Sequence, residues 1–270
     1  MSATEQAVDF VRTAKPPKEA LEQAAGALAA FRAAAQEGAA APAVRALHEA
    51  LAGTRRAAGA DPTRTAWKLG TAAAAAPGSG PDWAAVCAAA VALAPRTGAD
   101  AAPPTGQGPG PRDAGQEPGP ETSETSENAE DSADPEELVA AVAVGIEVAR
   151  ATAAALGAAH SAAGWSLAGT AGTVGAGAAA GRLLGLDAAR LRHLFGLCAT
   201  QAAGLAAAES TPAGDLRAGK AAADAVEAAL LARHGFTSSA LAFEGRRGLF
   251  ALMSPGQDTP PDGLRLGACW

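Results

Sequence analysis

The sequence predicts an all-α fold, and three observations carry that expectation. Alanine dominates the composition, while tyrosine is absent and only six Phe and four Trp occur in 270 residues; Ala has the best helix propensity, whereas strands favour β-branched and aromatic side chains. Apolar residues recur at spacings of three and four in several segments, the period of one helical face. The third observation is the stretch from His160 to Gly185, HSAAGWSLAGTAGTVGAGAAAGRLLG, which after Ser166 carries no charge before Arg182 and has glycines at 169, 172, 175, 177, 181 and 185. Those gaps set the glycines near one face of a helix. An interior Gly costs a helix about 1 kcal/mol relative to Ala, so the run requires compensation from close packing or close approach to a ligand. It is read as the tightly packed central helix of an all-α bundle.

Residues 1–96 read as the N-terminal part of that bundle. Leu21, Leu28 and Phe31 keep a helical period in one helix and Val44, Leu47 and Leu51 in another, with breaks at Pro16-Pro17, Gly38 and Pro42. Residues 61–82 look looser, a short Trp67–Thr71 run leading through five alanines to a Pro77–Pro81 turn. An apolar helix from Trp83 to Ala94 stops before Pro95. Residues 97–134 change composition abruptly, from PPTGQGPGPR to ETSETSENAEDSADPEE, and predict a disordered, self-repelling acidic insertion.

Residues 135–251 form the core of the domain. Asp134 is placed to cap a helix with Pro135 at its first position and Glu136 and Glu137 in its first turn. Val139, Val142, Ile146 and Ala149 mark its buried face, and Gly157 is expected to close it. Asp187 caps the next helix, carrying Leu191, Leu194, Phe195, Cys198 and Leu205. A last helix is expected from about Gly219 to Arg233-His234-Gly235, with Phe236 making a C-terminal apolar contact. Residues 252–270 read as a frayed tail.

The net charge of −7 supplies no electrostatic footprint for nucleic acid. Cys87, Cys198 and Cys269 are odd in number and lack a CxxC spacing, and the opening MSATEQAVDF has no secretory leader; they read as reduced thiols of a cytoplasmic protein. Gly164 to Gly181 is long enough for a membrane span, but it is built from Gly and Ala rather than Leu, Ile and Phe, so no membrane association is expected.

Two blocks resemble the MmgE/PrpD family, which includes 2-methylcitrate dehydratase, cis-aconitate decarboxylase and iminodisuccinate epimerase. One is ELVAAVAVGIEVARATAAALG followed by GWSLAGTAGTVGAGAAAGRLLGLDAARLRHLFGLCATQAAGL; the other is LRAGKAAADAVEAALLARHGF with LAFEGRRGLF. Upstream, LGTAAA at 69–74 resembles the family's NGTAAH and APGSG at 76–80 its HPGS turn. The resemblance implies the family's helical domain, usually in a homodimer, with the active site at the junction with a second α+β domain. The departures are as informative. The family's aspartate-rich loop between those two upstream motifs shrinks here to Ala75, and the histidines of NGTAAH and HPGS fall on Ala74 and Ala76. The site histidine of GFHPTGTAG falls on Ser166, and the lysine and histidine of KxxHxG fall on Gly214 and Arg217. The chain is also expected to stop about where the second domain would begin. Dehydrating or decarboxylating a citrate-like acid requires a base to take one proton and an acid to deliver another. Alanine, glycine and serine supply neither, so the family reaction on its usual substrates is not expected.

The remaining candidates are few. His160 and Ser166 are the catalytic ones. His160 sits four residues before Gly164, near the remnant pocket, against the alternative of an ordinary core or surface histidine; Ser166 has no assignable His and Asp behind it. Arg217, Trp165 and Thr170 are the candidate substrate-binding residues. The Arg217 guanidinium suits a carboxylate held without proton transfer, against the alternative of an ion pair with Asp215 or Glu209, and Thr170 and Thr173 have the alternative of bonding back to their own helix. Lys220, Asp224 and Glu227 read as a solvated face of ion pairs. His48, His193 and His234 show no metal-ligand spacing, and GAGAAAG lacks the preceding strand of a dinucleotide fingerprint, so neither metal nor cofactor is expected.

Exposed apolar surface predicts a homodimer or a partner subunit. Two functions stay open. In the first and preferred, the old pocket binds or converts a small molecule of specialised metabolism, such as a carboxylate on Arg217. In the second, the chain is a pseudoenzyme acting as a structural or regulatory subunit.

Overall fold

The computed structural model describes residues 1–52, 61–77, 83–94, 134–256, 263–268 and 270. Its regular structure is helical: α1 (Ala3–Thr13), α2 (Lys18–Gly38), α3 (Pro42–Ala52), α4 (Pro62–Ala74), α5 (Ala84–Leu93), α6 (Pro135–Ala162), α7 (Ala171–Leu183), α8 (Ala188–Gln201), α9 (Pro212–Arg233) and α10 (Leu249–Met253), with a 3-10 turn at Ala206–Ala208. No strand occurs among the described residues; Trp165 and Leu205 form one isolated antiparallel bridge. The expected acidic insertion falls almost wholly outside the described residues, as do most of the Pro77–Pro81 turn and Cys269.

α7 is the hub, packed against α5, α6, α8 and α9. Every residue from Ala171 to Gly181 is buried, so the helix has no solvent face and needs no amphipathic pattern. Two apolar clusters meet across it. One joins α1, the later part of α6, α8, Phe243, Leu249, Phe250 and Leu264; the other joins α2, α4, α5, the earlier part of α6 and α9. The tightest crossing is α6 on α7. A Cβ added to Gly175 would lie 2.5 Å from both the Ala149 Cβ and the Gly145 carbonyl oxygen, and one added to Gly145 would lie 2.8 Å from the Gly175 oxygen. The close helix packing that the glycine run demands is therefore present, although the helix starts at Ala171 rather than just after Ser166.

Several boundaries differ from expectation. The 61–82 region contains a full helix, α4, with the Asp61 side chain accepting from the Thr63 and Arg64 N–H groups and Pro62 at the first position. Asp134 caps α6 as expected, accepting from the Glu136 N–H. Gly157 does not end α6; it adopts φ 63°, ψ −169° and kinks the helix, which resumes to Ala162. α8 stops at Gln201, so Leu205 lies beyond it and is 62% exposed. α9 begins at Pro212, a turn and more before Gly219, because proline at N1 starts a helix at no cost in N–H bonds. The Phe236 N–H closes that helix on the Leu231 carbonyl at 2.9 Å, but the ring is 56% exposed and makes no buried contact.

The described part of the tail, residues 252–256, 263–268 and 270, is tied down rather than frayed. Ser254 donates to the Leu156 carbonyl at 2.7 Å, Leu264 N–H to the Gln6 Oε1 at 2.6 Å, and Gly267 N–H to the Glu147 Oε1 at 2.7 Å. Trp270 stacks edge-on against Phe10 with ring centres 5.2 Å apart. These partners lie far away in sequence, which is why composition alone suggested a loose end. α6 is long and apolar enough to cross a bilayer, and most of that stretch is buried inside the protein.

Candidate functional site

The kink at Gly157 turns the last residues of α6 inward and carries His160 to full burial. Beyond it, residues 163–170 run back against residues 202–206. The pairing uses backbone groups: Ser166 N–H to the Gly204 oxygen (3.0 Å), Ala203 N–H to the Gly169 oxygen (3.1 Å) and Ala206 N–H to the Gly164 oxygen (2.9 Å). This loop pair brings all five sequence candidates to one end of the bundle.

His160 Nδ1 lies 3.0 Å from the Met253 carbonyl oxygen and Nε2 lies 2.9 Å from Thr170 Oγ1. A carbonyl only accepts, so Nδ1 carries a hydrogen. In the neutral ring Nε2 is then an acceptor, and Thr170 donates to it. The same hydroxyl is 2.9 Å from the Ser166 carbonyl oxygen, four residues back; its single hydrogen serves one of the two at a time. Burial lowers the His160 pKa below its ordinary 6.5, against a smaller raising effect of the Met253 carbonyl. The neutral imidazole is thus favoured, with both nitrogens committed. Thr173 bonds back to the Gly169 carbonyl at 2.8 Å, the local bond expected of it.

Ser166 is buried, and its hydroxyl makes no hydrogen bond with any described residue, so no base stands behind it. Trp165 is half-buried at the bridge to Leu205. Arg217 rises from α9 across Gly204: a Cβ built on that glycine would meet the Arg217 Cδ at 3.3 Å and the Ser166 Cβ at 3.5 Å. Its Nη1 donates to the Leu205 oxygen at 3.0 Å and its Nε to the Gly214 oxygen at 3.4 Å, while Nη2 stands 3.9 Å from the exposed Glu209 carboxylate. The guanidinium therefore staples the loop pair to α9, and the Glu209 contact adds little at that exposure. Burial raises the Asp215 carboxyl pKa, an effect Arg217 partly offsets.

Other polar groups divide cleanly. Asp224 is not on a solvated face: it is 6% exposed, ion-paired to Lys220, and its pKa is raised by burial. Cys87 and Cys198 are buried thiols, and burial pushes the first up to about 12 and the second higher still, so neither is a nucleophile at neutral pH. No group of three or more His, Cys, Asp or Glu among the described residues could hold a metal ion.

Several large apolar side chains are exposed in the segments around the loop pair. Leu167 and Leu205 flank the loop pair and Leu216 precedes Arg217; Leu241 and Leu252 line a groove of about 450 Å³ that also includes Met253, whose carbonyl holds His160. All five leucines are exposed, and of the large apolar residues exposed among the described ones only Met1 and Phe236 lie in other segments.

Comparison with protein families gives one match. The model of the MmgE/PrpD N-terminal domain covers residues 83–262, more than half of the chain. It spans α5 to α10 and therefore contains α7, the loop pair and all five candidate residues. No curated protein matches the chain.

Proposed function

The chain belongs to the MmgE/PrpD family, and from that premise we propose that it is a non-catalytic member, a subunit that self-associates through the end carrying the loop pair. One observation carries this reading: where acid-base groups would be needed, the polar side chains are spent on internal bonds. His160 is buried between Met253 and Thr170, and Arg217 is bound to the Leu205 and Gly214 carbonyls. A general acid or base must reach the proton it moves, and these groups face protein. The exposed leucines in the segments around them support a second copy as the occupant of that end, because exposed apolar side chains are the ones association buries and a two-fold contact buries the same patch on both copies. The small-molecule reading loses part of its favoured anchor, since Arg217 Nε and Nη1 already donate to the Gly214 and Leu205 carbonyls.

Light scattering on a sizing column should give twice the chain mass at micromolar concentration, and Leu205→Asp combined with Leu252→Asp should give a monomer with unchanged helicity. Assays with 2-methylcitrate and cis-aconitate should show no turnover. A monomeric wild type removes the association, and turnover of either acid that is lost in His160→Ala overturns the non-catalytic reading.

A further inference from the structure

Residues 263–268 and 270 form neither helix nor strand, yet they bridge α1 and α6. Leu264 is buried in the cluster built on α1, α6 and α8, and Leu266 packs against it. Trp270 packs against both apolar clusters and meets Phe10 of α1 edge-on. Two hydrogen bonds hold the main chain to described side chains: Leu264 N–H donates to Gln6 of α1 at 2.6 Å, and Gly267 N–H to Glu147 of α6 at 2.7 Å. Gln6 and Phe10 stand four residues apart on one face of α1, so the bond at Leu264 and the ring contact at Trp270 share a single seat. Neither the segment nor α1 falls within residues 83–262, the part shared with the family. The α6 face that they cover therefore belongs to the shared domain, and its cover does not.

Three features oppose the docking of this segment. The Trp270 Nε1–H is buried with no acceptor among the described residues, and water would supply one on release. Trp270 also walls a cavity of about 250 Å³ that is bounded by α2, Trp83 and the middle of α6, so its surroundings fall short of the close packing of a protein interior. Gly263 and Gly267 are held at φ of 113° and 80°, and glycine loses more conformational freedom on being fixed than any other residue. Burial of Leu264, Leu266 and Trp270 favours the docked state against these costs.

We propose that the segment carrying Leu264, Gly267 and Trp270 is a strap that opens and closes as one unit on the folded bundle, with Trp270 as its latch. Each opening removes the Trp270 wall of the cavity, so access to that space follows the position of the strap rather than unfolding of the bundle. The strap is independent of the self-association proposed above, whose exposed leucines lie in other segments.

Amide hydrogen exchange followed by NMR on the full chain, in urea below the unfolding transition, tests this. The Leu264 and Gly267 amides should share one opening constant, at least about 100-fold larger than that of the α7 amides, as expected of a unit that opens below the global transition. Both should rise with urea in parallel, because one opening exposes the surface buried by both. Trp270→Ala should raise the two constants by about tenfold or more and leave α7 unchanged, since the latch contributes apolar burial to the docked state only. Trypsin cleavage after Arg265, whose side chain is already exposed, should accelerate by the same factor, because cleavage follows the population of the open form. Three results would overturn the strap: Gly267 exchanging faster than Leu264 without dependence on urea, which is fraying; both amides matching α7, which is global unfolding alone; or Trp270→Ala leaving both unchanged. The first two are read on the wild type and stand even if the variant fails to fold.

Discussion

Where α6 crosses α7, the backbones meet with almost nothing between them: Gly145 faces Gly175, with Ala149 and Ala179 closing the contact. At the loop pair, the chain meets through groups that must find partners: His160 between Met253 and Thr170, and Arg217 on two carbonyls. The first region is held by dispersion between close-packed atoms and fails when anything is added. The second is held by hydrogen bonds, exposed at Leu205 and buried at Thr170, and fails when a partner is removed. The segment carrying Phe243 is anchored by that ring against Phe195 and Phe250, whereas the loop pair is anchored by polar groups. The loop pair, held this way, is a joint between α6, α9 and the segment around Met253.

The largest effect is expected in the first region. Gly175→Ala would place a methyl 2.5 Å from the Ala149 Cβ and the Gly145 oxygen. Neither is the far end of a flexible side chain, so the helices must separate, at a cost of about 3 kcal/mol. Urea unfolding monitored by circular dichroism measures this; a loss below about 1 kcal/mol would mean that the crossing is looser than described.

The second region should respond to removal and to pH. His160→Gln replaces a ring fitted between the Met253 carbonyl and the Thr170 hydroxyl by an amide that cannot meet both in the same place, a loss of about 2 kcal/mol at pH 8. The wild type carries a further signature. Because burial lowers the folded-state pKa of His160 below 6.5, the unfolded chain takes up the proton first as the pH falls. The stability due to the neutral ring is therefore intact above about pH 6.5 and is lost below it, until the folded form also protonates. Asp215 and Asp224, raised by burial, act in the opposite sense at lower pH. The difference between wild type and His160→Gln cancels their contribution, and it should shrink as the pH drops from 8 to 5.5. A difference that stays constant over that range would show that His160 is not held neutral.

The two regions were unequally legible. The α6–α7 contact follows from glycines at helical spacing, a local pattern whose cost implies its compensation. The start of α6 was legible from Asp134-Pro135, yet the equivalent Asp61-Pro62 passed unread, because α4 buries small residues, Ala66, Gly70, Thr71, Ala72 and Ala73, in place of the large apolar ones that mark a helical face. The loop pair was not legible, since main-chain hydrogen bonds carry no side-chain signature. Leu205 looked like one more helical leucine for that reason. The five candidates do converge at one end, but the atoms that define their surroundings, the carbonyls of Met253, Leu205 and Gly214, belong to residues whose side-chain identity says nothing about them.

The smallest effect has the opposite sign and separates packing from propensity. Gly26 lies in the interior of α2, exposed, and a Cβ built there would meet nothing within 4 Å. Gly26→Ala should therefore stabilise the protein by about 0.5–1 kcal/mol, partly by reducing the freedom of the unfolded chain. The chemical change is the one made at Gly175, so intrinsic helix propensity contributes about equally to both, and the difference between the two variants, about 4 kcal/mol, isolates the cost of prising α6 from α7. If both substitutions were neutral or stabilising, the glycines of α7 would be tolerated rather than required, and the hub of the fold would rest on alanine packing alone. If both were destabilising, α2 would have a neighbour covering Gly26, and the apolar surface available to a partner would extend beyond the leucine-rich end.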